Sequence, residues 1–421
     1  MRLEPVDGDS PRDVLRALRA AIHGAGPAGA LGDRVAAPGA DRALNRLPGG
    51  MPGAGPDGGP ERMPGAGPGE STRRMPEEVP AGTAVVVATS GSSGHPKRVA
   101  LSRSALTASA LATAGRIGEG VWLLALPATY IAGAQVLVRA IVAGTEPALL
   151  SGRFSPQAFA AAAATMASHR DGHRVPNYTS LVPAQLGTLL DAAGHDPAVA
   201  RALRAFEAIL VGGQSLPPAL RERAEAAGAR IVRTYGSTET SGGCVYDGVP
   251  LDGLGVRIAD GEVRLSGPTL ADGYLGEPER TASVFRRDPD GTRWYRSGDA
   301  GALADGVLQV TGRLDNVIVS GGVNVSLDRV EHAVRTVPGL AEAVVVGVAD
   351  DQWGEASVVV VARAALAGRD ADAVLAAARD AVADAVGRPA RPARLVVVDA
   401  VPLLPSGKPD RARARLLAAA E

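Results

Sequence analysis

The 421-residue chain is poor in cysteine and in aromatic residues, and each shortage excludes a class of protein. Its single cysteine, Cys244, excludes an internal disulfide framework and any metal site built from several thiolates. Aromatic residues make up only 3% of the chain, so the core must consist mainly of Ala, Val and Leu. The hydrophobic fraction of 46% is nevertheless large enough to fill a sizeable interior.

Strong net charge and long apolar runs are also lacking. The formal net charge is −1, which gives no electrostatic reason to expect a nucleic acid or an anionic membrane as partner. No apolar run has transmembrane length, and residues 1–14 lack the apolar core of a signal peptide. We therefore expect a cytoplasmic protein that binds neither nucleic acid nor membrane, with a homo-oligomer left open.

Lysine is the scarcest basic residue, since the chain contains Lys97 and Lys408 and otherwise uses arginine. An ammonium group is compact and acts as a point donor, whereas a guanidinium group is a broad planar fork. Both lysines lie in glycine-containing loops. This pattern suggests a role that arginine would not fill, with chance as the alternative.

The order of elements predicts the α/β class and two domains. From residue 84 onward, strands alternate with helices, which is typical of a parallel or mixed sheet covered by helices. We predict a large N-terminal domain of helix-covered sheets (1–313) and a small α+β domain (316–421), with a boundary near residue 315. A Gly/Pro-rich tract, 49–74, contains "MPGAGP" twice and is predicted to be a disordered insertion without a catalytic role.

The apolar run "AVVVA" is predicted to be a buried strand, and a polar loop, "TSGSSGHPKR" at residues 89–98, follows it. Unshielded backbone N–H groups, hydroxyl groups and a terminal lysine are suited to binding phosphate. The common nucleotide-loop pattern G-x-x-x-x-G-K-[ST] is absent, and a tight turn is the alternative for this loop alone.

Four further segments follow in order: "TYGSTET" (234–240), "YRSGDAG" (295–301), "GRLDNVIVSGGVNV" (312–325) and "LPSGKPDR" (404–411). With the polar loop, they resemble the adenylate-forming superfamily of acyl-CoA synthetases, luciferases and peptide-synthetase adenylation domains. The resemblance covers roughly residues 83–411. It implies an acid–thiol ligase in which a carboxylic acid attacks the α-phosphate of ATP, after which a thiol, usually that of CoA, displaces AMP.

The resemblance also implies an ATP site and a Mg²⁺ site. Ser90, Ser92, Ser93 and Lys97 would hold the β- and γ-phosphates, Tyr235 would stack on adenine, and Asp299 with Arg313 would hold the ribose. Thr238 and Glu239 would act in catalysis by binding phosphate oxygen and Mg²⁺, a cation that usually takes one or two carboxylates plus phosphates. The remaining members of the implied ATP site are Thr89, Gly91, Gly94, Gly213 and Gly236.

The same resemblance assigns roles to the C-terminal part. Lys408 would be the catalytic cation that bridges the carboxylate and the α-phosphate. Asp315 would be the hinge of a mobile C-terminal domain, although Asn316 stands where relatives usually have a second aspartate. Rotation at this hinge would bring the CoA-tunnel residues Ser320, Gly321 and Gly322 toward the thiol.

An acyl pocket is predicted at the ends of strands, where open α/β sheets place ligands. Its predicted members are Tyr130, Gly133, Ser180, Leu181 and Gly212. These residues are small and mainly apolar, with Tyr130 as a flat wall, which favours an aromatic ring over a long alkyl chain. A fatty acid, another aryl acid, and a stand-alone adenylation domain that loads a carrier protein stay open as alternatives.

Overall fold

A computed structural model of the chain describes residues 2–8, 10–32, 78–89, 97–150, 152–166, 169–170, 172–404 and 408–420. The Gly/Pro-rich tract 49–74 lies outside these ranges, as do Ser90, Gly91, Ser92, Ser93 and Gly94 of the polar loop. Among the described residues, no helix is both long enough and apolar enough to cross a membrane.

The strands up to residue 250 are β1 (Leu3–Pro5), β2 (Ala28–Leu31), β3 (Thr83–Thr89), β4 (Lys97–Ser102), β5 (Val121–Leu124), β6 (Ala148–Leu149), β7 (His169–Arg170), β8 (His173–Arg174), β9 (Asn177–Leu181), β10 (Ala208–Gly212), β11 (Ile231–Ser237), β12 (Gly242–Tyr246) and β13 (Val249–Pro250). The later strands are β14 (Gly255–Ala259), β15 (Glu262–Ser266), β16 (Gly273–Tyr274), β17 (Phe285–Arg287), β18 (Arg293–Ala304), β19 (Val307–Arg313), β20 (Val317–Ser320), β21 (Val323–Ser326), β22 (Val344–Asp350), β23 (Gly354–Ala362) and β24 (Arg394–Val398).

The helices are α1 (Pro11–Ile22), α2 (Arg103–Ile117), α3 (Ile131–Val142), α4 (Pro156–Ala164), α5 (Pro183–Ala193), α6 (Pro197–Ala205), α7 (Pro218–Ala226), α8 (Pro278–Val284), α9 (Leu327–Val334), α10 (Arg363–Leu366), α11 (Ala371–Ala385) and α12 (Arg411–Ala419). Local sequence explains where several of them begin. Ser102, the predicted N-cap of α2, accepts a hydrogen bond from the backbone N–H of Ala105 at 3.2 Å. Proline occupies the first turn of α1, α4, α5, α6, α7 and α8, where its missing N–H is not needed.

The largest sheet has the strand order β13-β12-β11-β10-β9-β5-β6. Its strands β11, β10, β9, β5 and β6 are parallel, whereas β12 and β13 are antiparallel additions at one side. The predicted mixed sheet is therefore confirmed. The carboxyl ends of β9, β10 and β11 meet at one edge of this sheet, which is where ligands bind in open α/β sheets.

The described residues form four further sheets, three of five strands and one of two strands, β7 and β8. Of the five-stranded sheets, the first has the order β1-β2-β3-β4-β16, and the second has the order β14-β15-β18-β17 with β19 paired to β18. The third has the order β21-β20-β23-β22 with β24 paired to β23. The boundary predicted near residue 315 falls between β19 and β20, and the predicted order helix, strand, strand, helix, strand appears as α9, β22, β23, α11 and β24.

Alternating side chains of the largest sheet enter two different apolar clusters. Leu124 and Leu210 belong to the cluster with α1, α2 and α3, whereas Leu123 and Ile209 belong to the cluster with α4 to α7. Because successive side chains of a strand point to opposite faces, this division shows that helices cover both faces. The helix-covered sheets predicted from the sequence are confirmed.

Candidate active site

Glycines at the carboxyl edge of the largest sheet permit close approach of its strands. A Cβ atom at Gly212, the last residue of β10, would lie 2.3 Å from Oγ1 of Thr234, and one at Gly236 would lie 2.1 Å from the carbonyl oxygen of Gly242. Gly213 follows with a φ of +82°, a conformation that glycine adopts readily. These three predicted ATP-site or acyl-pocket glycines thus lie together at the edge where β10 and β11 end.

Tyr235, Asp299 and Arg313 form a hydrogen-bonded group beside that edge. The hydroxyl of Tyr235 donates to Oδ2 of Asp299 at 2.6 Å, and Nη1 of Arg313 donates to Oδ1 of the same carboxylate at 3.1 Å. Burial raises the pKa of Asp299, and the hydrogen bonds from Tyr235 and Arg313 oppose that rise by favouring the charged form. The structure therefore brings together the three residues predicted to hold adenine and ribose.

Thr238 and Glu239 lie on a buried 3₁₀ turn, Thr238–Thr240, that directly follows β11. Oε1 of Glu239 accepts a 2.8 Å hydrogen bond from the hydroxyl of Tyr274, a residue that the sequence interpretation missed. Burial and the charge of Glu239 raise the pKa of Tyr274, so its hydroxyl stays protonated and donates to the carboxylate. A hydroxyl and a carboxylate on adjacent residues are hard oxygen donors of the kind that Mg²⁺ binds.

Lys97 begins β4 directly opposite Thr89, the last residue of β3, in the antiparallel pair that these two strands form. Its Nζ lies 5.7 Å from the centroid of the Tyr274 ring, a cation–π distance. Burial lowers the pKa of Lys97, while the nearby negative charge of Glu239 opposes that change. One of the two lysines is thus placed beside the Glu239–Tyr274 pair.

The second lysine, Lys408, reaches the same region from the far end of the chain. A Cβ atom at Gly213 would lie 3.5 Å from Cε of Lys408, so the aliphatic stem of this side chain lies against the end of β10. Lys408 remains accessible to solvent, but the protein around it partly desolvates the ammonium group and lowers its pKa. Glu239 and Asp299 oppose this effect through their negative charges, which places Lys408 within the field of both carboxylates.

The predicted hinge residue lies in the connection between β19 and β20, and the predicted CoA-tunnel residues lie in the hairpin of β20 and β21 that follows. Asp315 accepts hydrogen bonds from Nε and Nη2 of Arg313 at 2.9 and 3.0 Å. Gly321 and Gly322, both with positive φ, form the two-residue turn between β20 and β21, and Gly321 packs against the ring of Trp353. Ile318 and Val325 of this hairpin pack in one apolar cluster with Val330 and Val334 of α9.

The predicted acyl-pocket residues differ in what they contact. Ser180 and Leu181 are buried near the end of β9, where they pair with Leu210 and Val211, the two residues before Gly212. Tyr130 is the N-cap residue of α3, and a Cβ atom at Gly133 would lie 2.2 Å from the carbonyl oxygen of Pro127. The absence of a side chain at Gly133 is therefore required by the turn that leads into α3.

A buried arginine on α3 was not singled out from the sequence. Arg139 is only 6% exposed, its guanidinium lies 4.9 Å from the centroid of the Trp122 ring, and its Nε has no hydrogen-bond partner. Its Nη2 donates to the hydroxyl of Tyr246 at 3.4 Å, and no ion pair among the described residues includes it. Burial without a counter-ion lowers the pKa of Arg139, since burial disfavours the charged form.

Comparison with protein families and known proteins agrees with this geometry. Residues 56–275 match the model of the AMP-binding enzymes, and residues 329–408 match the C-terminal domain of AMP-binding enzymes. A probable 2-succinylbenzoate–CoA ligase of Mycobacterium tuberculosis is 41% identical over 345 residues, which are 80% of this chain and 85% of that relative. A medium/long-chain-fatty-acid–CoA ligase of the same organism is 32% identical over 78% of this chain and 60% of its own.

A solved structure shares the fold. The o-succinylbenzoate CoA synthetase of Bacillus subtilis, in complex with its acyl-adenylate intermediate, superposes with a TM-score of 0.65 at 26% identity, over 79% of this chain and 69% of that one. The chain belongs to the family of AMP-binding enzymes, that is, to the adenylate-forming ligases. The predicted superfamily and the predicted enzyme class, an AMP-forming acid–CoA ligase that uses ATP, Mg²⁺ and CoA, are confirmed.

Proposed function

We propose that this enzyme is a 2-succinylbenzoate–CoA ligase of menaquinone (vitamin K2) biosynthesis. An oxygen of the succinyl carboxylate attacks the α-phosphorus of ATP, the bond to the bridging oxygen breaks, and pyrophosphate leaves. The CoA thiol then loses its proton and attacks the acyl carbon, and AMP leaves with the former carboxylate oxygen. The 41% identity to the mycobacterial relative supports this assignment.

The placement of Lys408 supports its proposed role in the first step. Its ammonium group approaches the carboxyl edge of the sheet, and the carboxylates of Glu239 and Asp299 favour its charged form. A cation placed where the carboxylate and the α-phosphate meet stabilises the charge that develops during phosphoryl transfer. Lys97 would neutralise the departing pyrophosphate, and Asp299 with Arg313 would hold the ribose hydroxyls.

The oxygen donors of Thr238 and Glu239 fit a Mg²⁺ ion that is shared with ATP. Among the described residues, no group of three or more His, Cys, Asp or Glu side chains is placed to hold a metal by itself. One carboxylate and one hydroxyl suit an ion that takes its remaining ligands from phosphates and water. When bound, Mg²⁺ would neutralise phosphate charge, while Tyr274 orients Glu239 through its 2.8 Å hydrogen bond.

The second step requires a different arrangement of the C-terminal part. We place the hinge at Asp315, and rotation there would withdraw Lys408 and bring Ser320, Gly321 and Gly322 toward the CoA thiol. Asp315 is suited to this role because it lies in the short connection between β19 and β20. A cytoplasmic location, the oligomeric state and the exact domain limits stay predictions.

The structural observation that supports 2-succinylbenzoate as the substrate is that Arg139 is buried without a counter-ion in the described part of the chain. 2-Succinylbenzoate has a second carboxylate on its ring, and burying that group without a cation would be costly. Thr179, Ser180 and Gln185 are other polar residues that could meet this carboxylate, but Thr179 and Gln185 already donate to the carbonyl oxygens of Leu123 and Ala125. Arg139 has an unpaired Nε and no acidic partner among the described residues.

A continuous line of residues connects Arg139 to the edge of the sheet. Gly236 pairs with Gly243 on β12, and a Cβ atom at Gly243 would lie 3.2 Å from the ring of Tyr246, whose hydroxyl meets Arg139. Gln135 precedes Arg139 by one helical turn, is fully buried, and has an unpaired Oε1. A Cβ atom at Gly242 of β12 would lie 3.3 Å from Cγ of Gln135, so these polar groups lie where α3 meets β12.

A panel of acids, assayed for AMP release with and without CoA, tests the proposal. We expect kcat/KM for benzoate and octanoate to be lower than for 2-succinylbenzoate by about 100-fold or more, because unsatisfied polar groups penalise both. Comparable rates for octanoate would favour the fatty-acid alternative. AMP release that needs a carrier protein instead of CoA would favour the carrier-loading alternative.

Arg139→Met makes the test specific for the second carboxylate. We expect this variant to lose about 100-fold in kcat/KM for 2-succinylbenzoate, since removal of one partner leaves a charge unpaired. 4-Oxo-4-phenylbutanoate, which lacks only the ring carboxylate, should be used nearly as well by the variant as by the wild type. Equal losses with both acids would show that Arg139 does not meet the ring carboxylate.

A further inference from the structure

Glu262 is a buried carboxylate outside the motifs that carry the family resemblance. It begins β15, is 3% exposed, and its Oε2 accepts hydrogen bonds from Nε of Arg296 at 2.8 Å and Nε of Arg264 at 3.3 Å. Its Oε1 accepts a third bond, from the backbone N–H of Gly298, at 3.2 Å. Gly298 immediately precedes Asp299.

The pairing of β15 with β18 is irregular at this point. Glu262 pairs with Ala300 and Arg264 pairs with Arg296, so one residue of β15, Val263, faces three residues of β18, Ser297 to Asp299. Such a bulge removes backbone groups from the hydrogen bonds between the strands and changes the direction of the side chains at that point. The N–H of the half-buried Gly298 then needs another acceptor, because a backbone N–H removed from water without a partner costs free energy.

The bulge is built around Gly298. Gly298 has a φ of +71°, and a Cβ atom there would lie 2.9 Å from Nη2 of Arg313, so this position accommodates only glycine without strain. Ser297 donates its hydroxyl to the carbonyl of Val263 at 2.7 Å and accepts the N–H of Asp299 at 3.0 Å. The Glu262 carboxylate is thus the side-chain acceptor that holds the centre of the bulge.

From this geometry we infer that Glu262 is a positioning residue for the ribose site: it fixes the bulge that directs Asp299 toward the ribose hydroxyls of ATP. The inference rests on the proposed role of Asp299. The Glu262 carboxylate is held by the two arginines as well as by the Gly298 N–H, and a carboxylate forms a stronger hydrogen bond to that N–H than a neutral amide oxygen does. Loss of that carboxylate would loosen the bulge without removing Asp299, Tyr235 or Arg313.

The test is ATP–pyrophosphate exchange by the full chain with ATP, 2′-deoxy-ATP and 3′-deoxy-ATP. We expect Glu262→Gln to raise KM for ATP about tenfold with little change in kcat, the size of one lost charge-assisted hydrogen bond. KM for the deoxy nucleotides should rise less, so the variant should discriminate less between them and ATP. Arg296→Met, which removes a half-exposed partner of Glu262, should give a smaller change in the same direction.

Glu207→Gln is the matched control. Glu207 also lies between two arginines, Arg174 and Arg230, but away from Asp299, and this variant should keep the wild-type KM and discrimination. A merely structural role of Glu262 would lower the unfolding temperature or kcat and leave the discrimination unchanged, which would overturn the inference.

Asp299→Asn separates the inference from the proposed function. If Asp299→Asn loses the discrimination and both Glu262→Gln and Arg296→Met retain it, the inference about Glu262 is wrong and the ribose assignment stands. If Asp299→Asn also retains it, the assignment of Asp299 is wrong and the inference falls with it.

Discussion

The guanidinium of Arg411 and the carboxylate of Glu331 form a two-point ion pair, with Nη1–Oε2 at 2.8 Å and Nη2–Oε1 at 3.0 Å. Glu331 lies on α9 and is 5% exposed. Nη1 of Arg411 also donates to the carbonyl oxygen of Val345 on β22 at 2.9 Å. Arg411 follows Lys408 by three residues, so this pair fixes the end of the segment that carries the lysine.

We expect Arg411→Met to impair adenylate formation more than thioester formation. Without the anchor, the segment from Lys408 to α12 would sample more positions, and a small misplacement of a catalytic group can cost about 100-fold in rate. ATP–pyrophosphate exchange measures the first step, and thioester formation from a pre-made adenylate measures the second. Arg415→Met, an exposed substitution on the same helix, should leave both steps unchanged; equal losses of both steps in Arg411→Met would point to general damage of the C-terminal part.

Lys408 and Asp315 should affect opposite half-reactions. Lys408→Ala should lower the rate of adenylate formation by several orders of magnitude if its charge stabilises the transition state, and it should spare thioester formation. Asp315→Pro should do the reverse, because proline fixes φ and would prevent the rotation. Asp315→Ala is the control, since it removes the ion pair with Arg313 but leaves φ free. Loss of both steps in both Lys408→Ala and Asp315→Pro would contradict a rotating C-terminal part.

The pKa of Lys408 predicts an alkaline limit on adenylate formation. Partial desolvation lowers this pKa below the ordinary lysine value of 10.5. The ammonium form is the active one, so the rate should fall as the pH rises through the lowered pKa, at a lower pH than an ordinary lysine would give. The pH profile of pyrophosphate exchange measures this limit. The arginine of Lys408→Arg stays charged at high pH, so the residual rate of this variant should not fall in that range. If its rate falls as in the wild type, the alkaline limit belongs to another group, with Lys97 as the first candidate.

Cys244 should be unreactive in the folded protein. Its thiol is 2% exposed, and burial raises its pKa to about 12, so almost none is present as thiolate near neutral pH. A maleimide or iodoacetamide reagent should modify it only after unfolding. Because the chain has no other cysteine, the fraction of labelled protein, measured by mass spectrometry at increasing denaturant concentration, would report unfolding directly. Rapid labelling under native conditions would contradict the buried position.

The site residues could be predicted from the sequence better than the residues that hold them in position. Tyr235, Asp299 and Arg313 could be predicted because they lie in short motifs, and the structure places them within hydrogen-bond distance of one another. Whether they bind adenine and ribose stays a prediction. Glu262 could not be predicted, because its role depends on a bulge between β15 and β18 that only the register of the two strands reveals.

Composition limited the prediction elsewhere. Lys97 and Lys408 were informative because lysine is scarce, but the chain has 44 Lys and Arg residues in total, so one arginine does not stand out. Arg139 became distinctive only when its burial and its lack of a counter-ion were visible. Helices α5 and α6 were missed because glycine and proline interrupt an otherwise apolar segment, and tertiary packing of Leu186, Leu189 and Leu203 against the sheet decides their structure.

The packing of Trp353 against Gly321 gives the protein an optical label at the turn between β20 and β21. The chain has three tryptophans. Trp122 is 2% exposed, Trp294 stacks on Arg257, and Trp353 is 49% exposed. An indole in water emits at longer wavelengths than one in an apolar setting, so Trp353 should contribute the red edge of the emission spectrum. Covering this turn with another surface would shift that edge toward the blue, while the emission of Trp122 stayed constant.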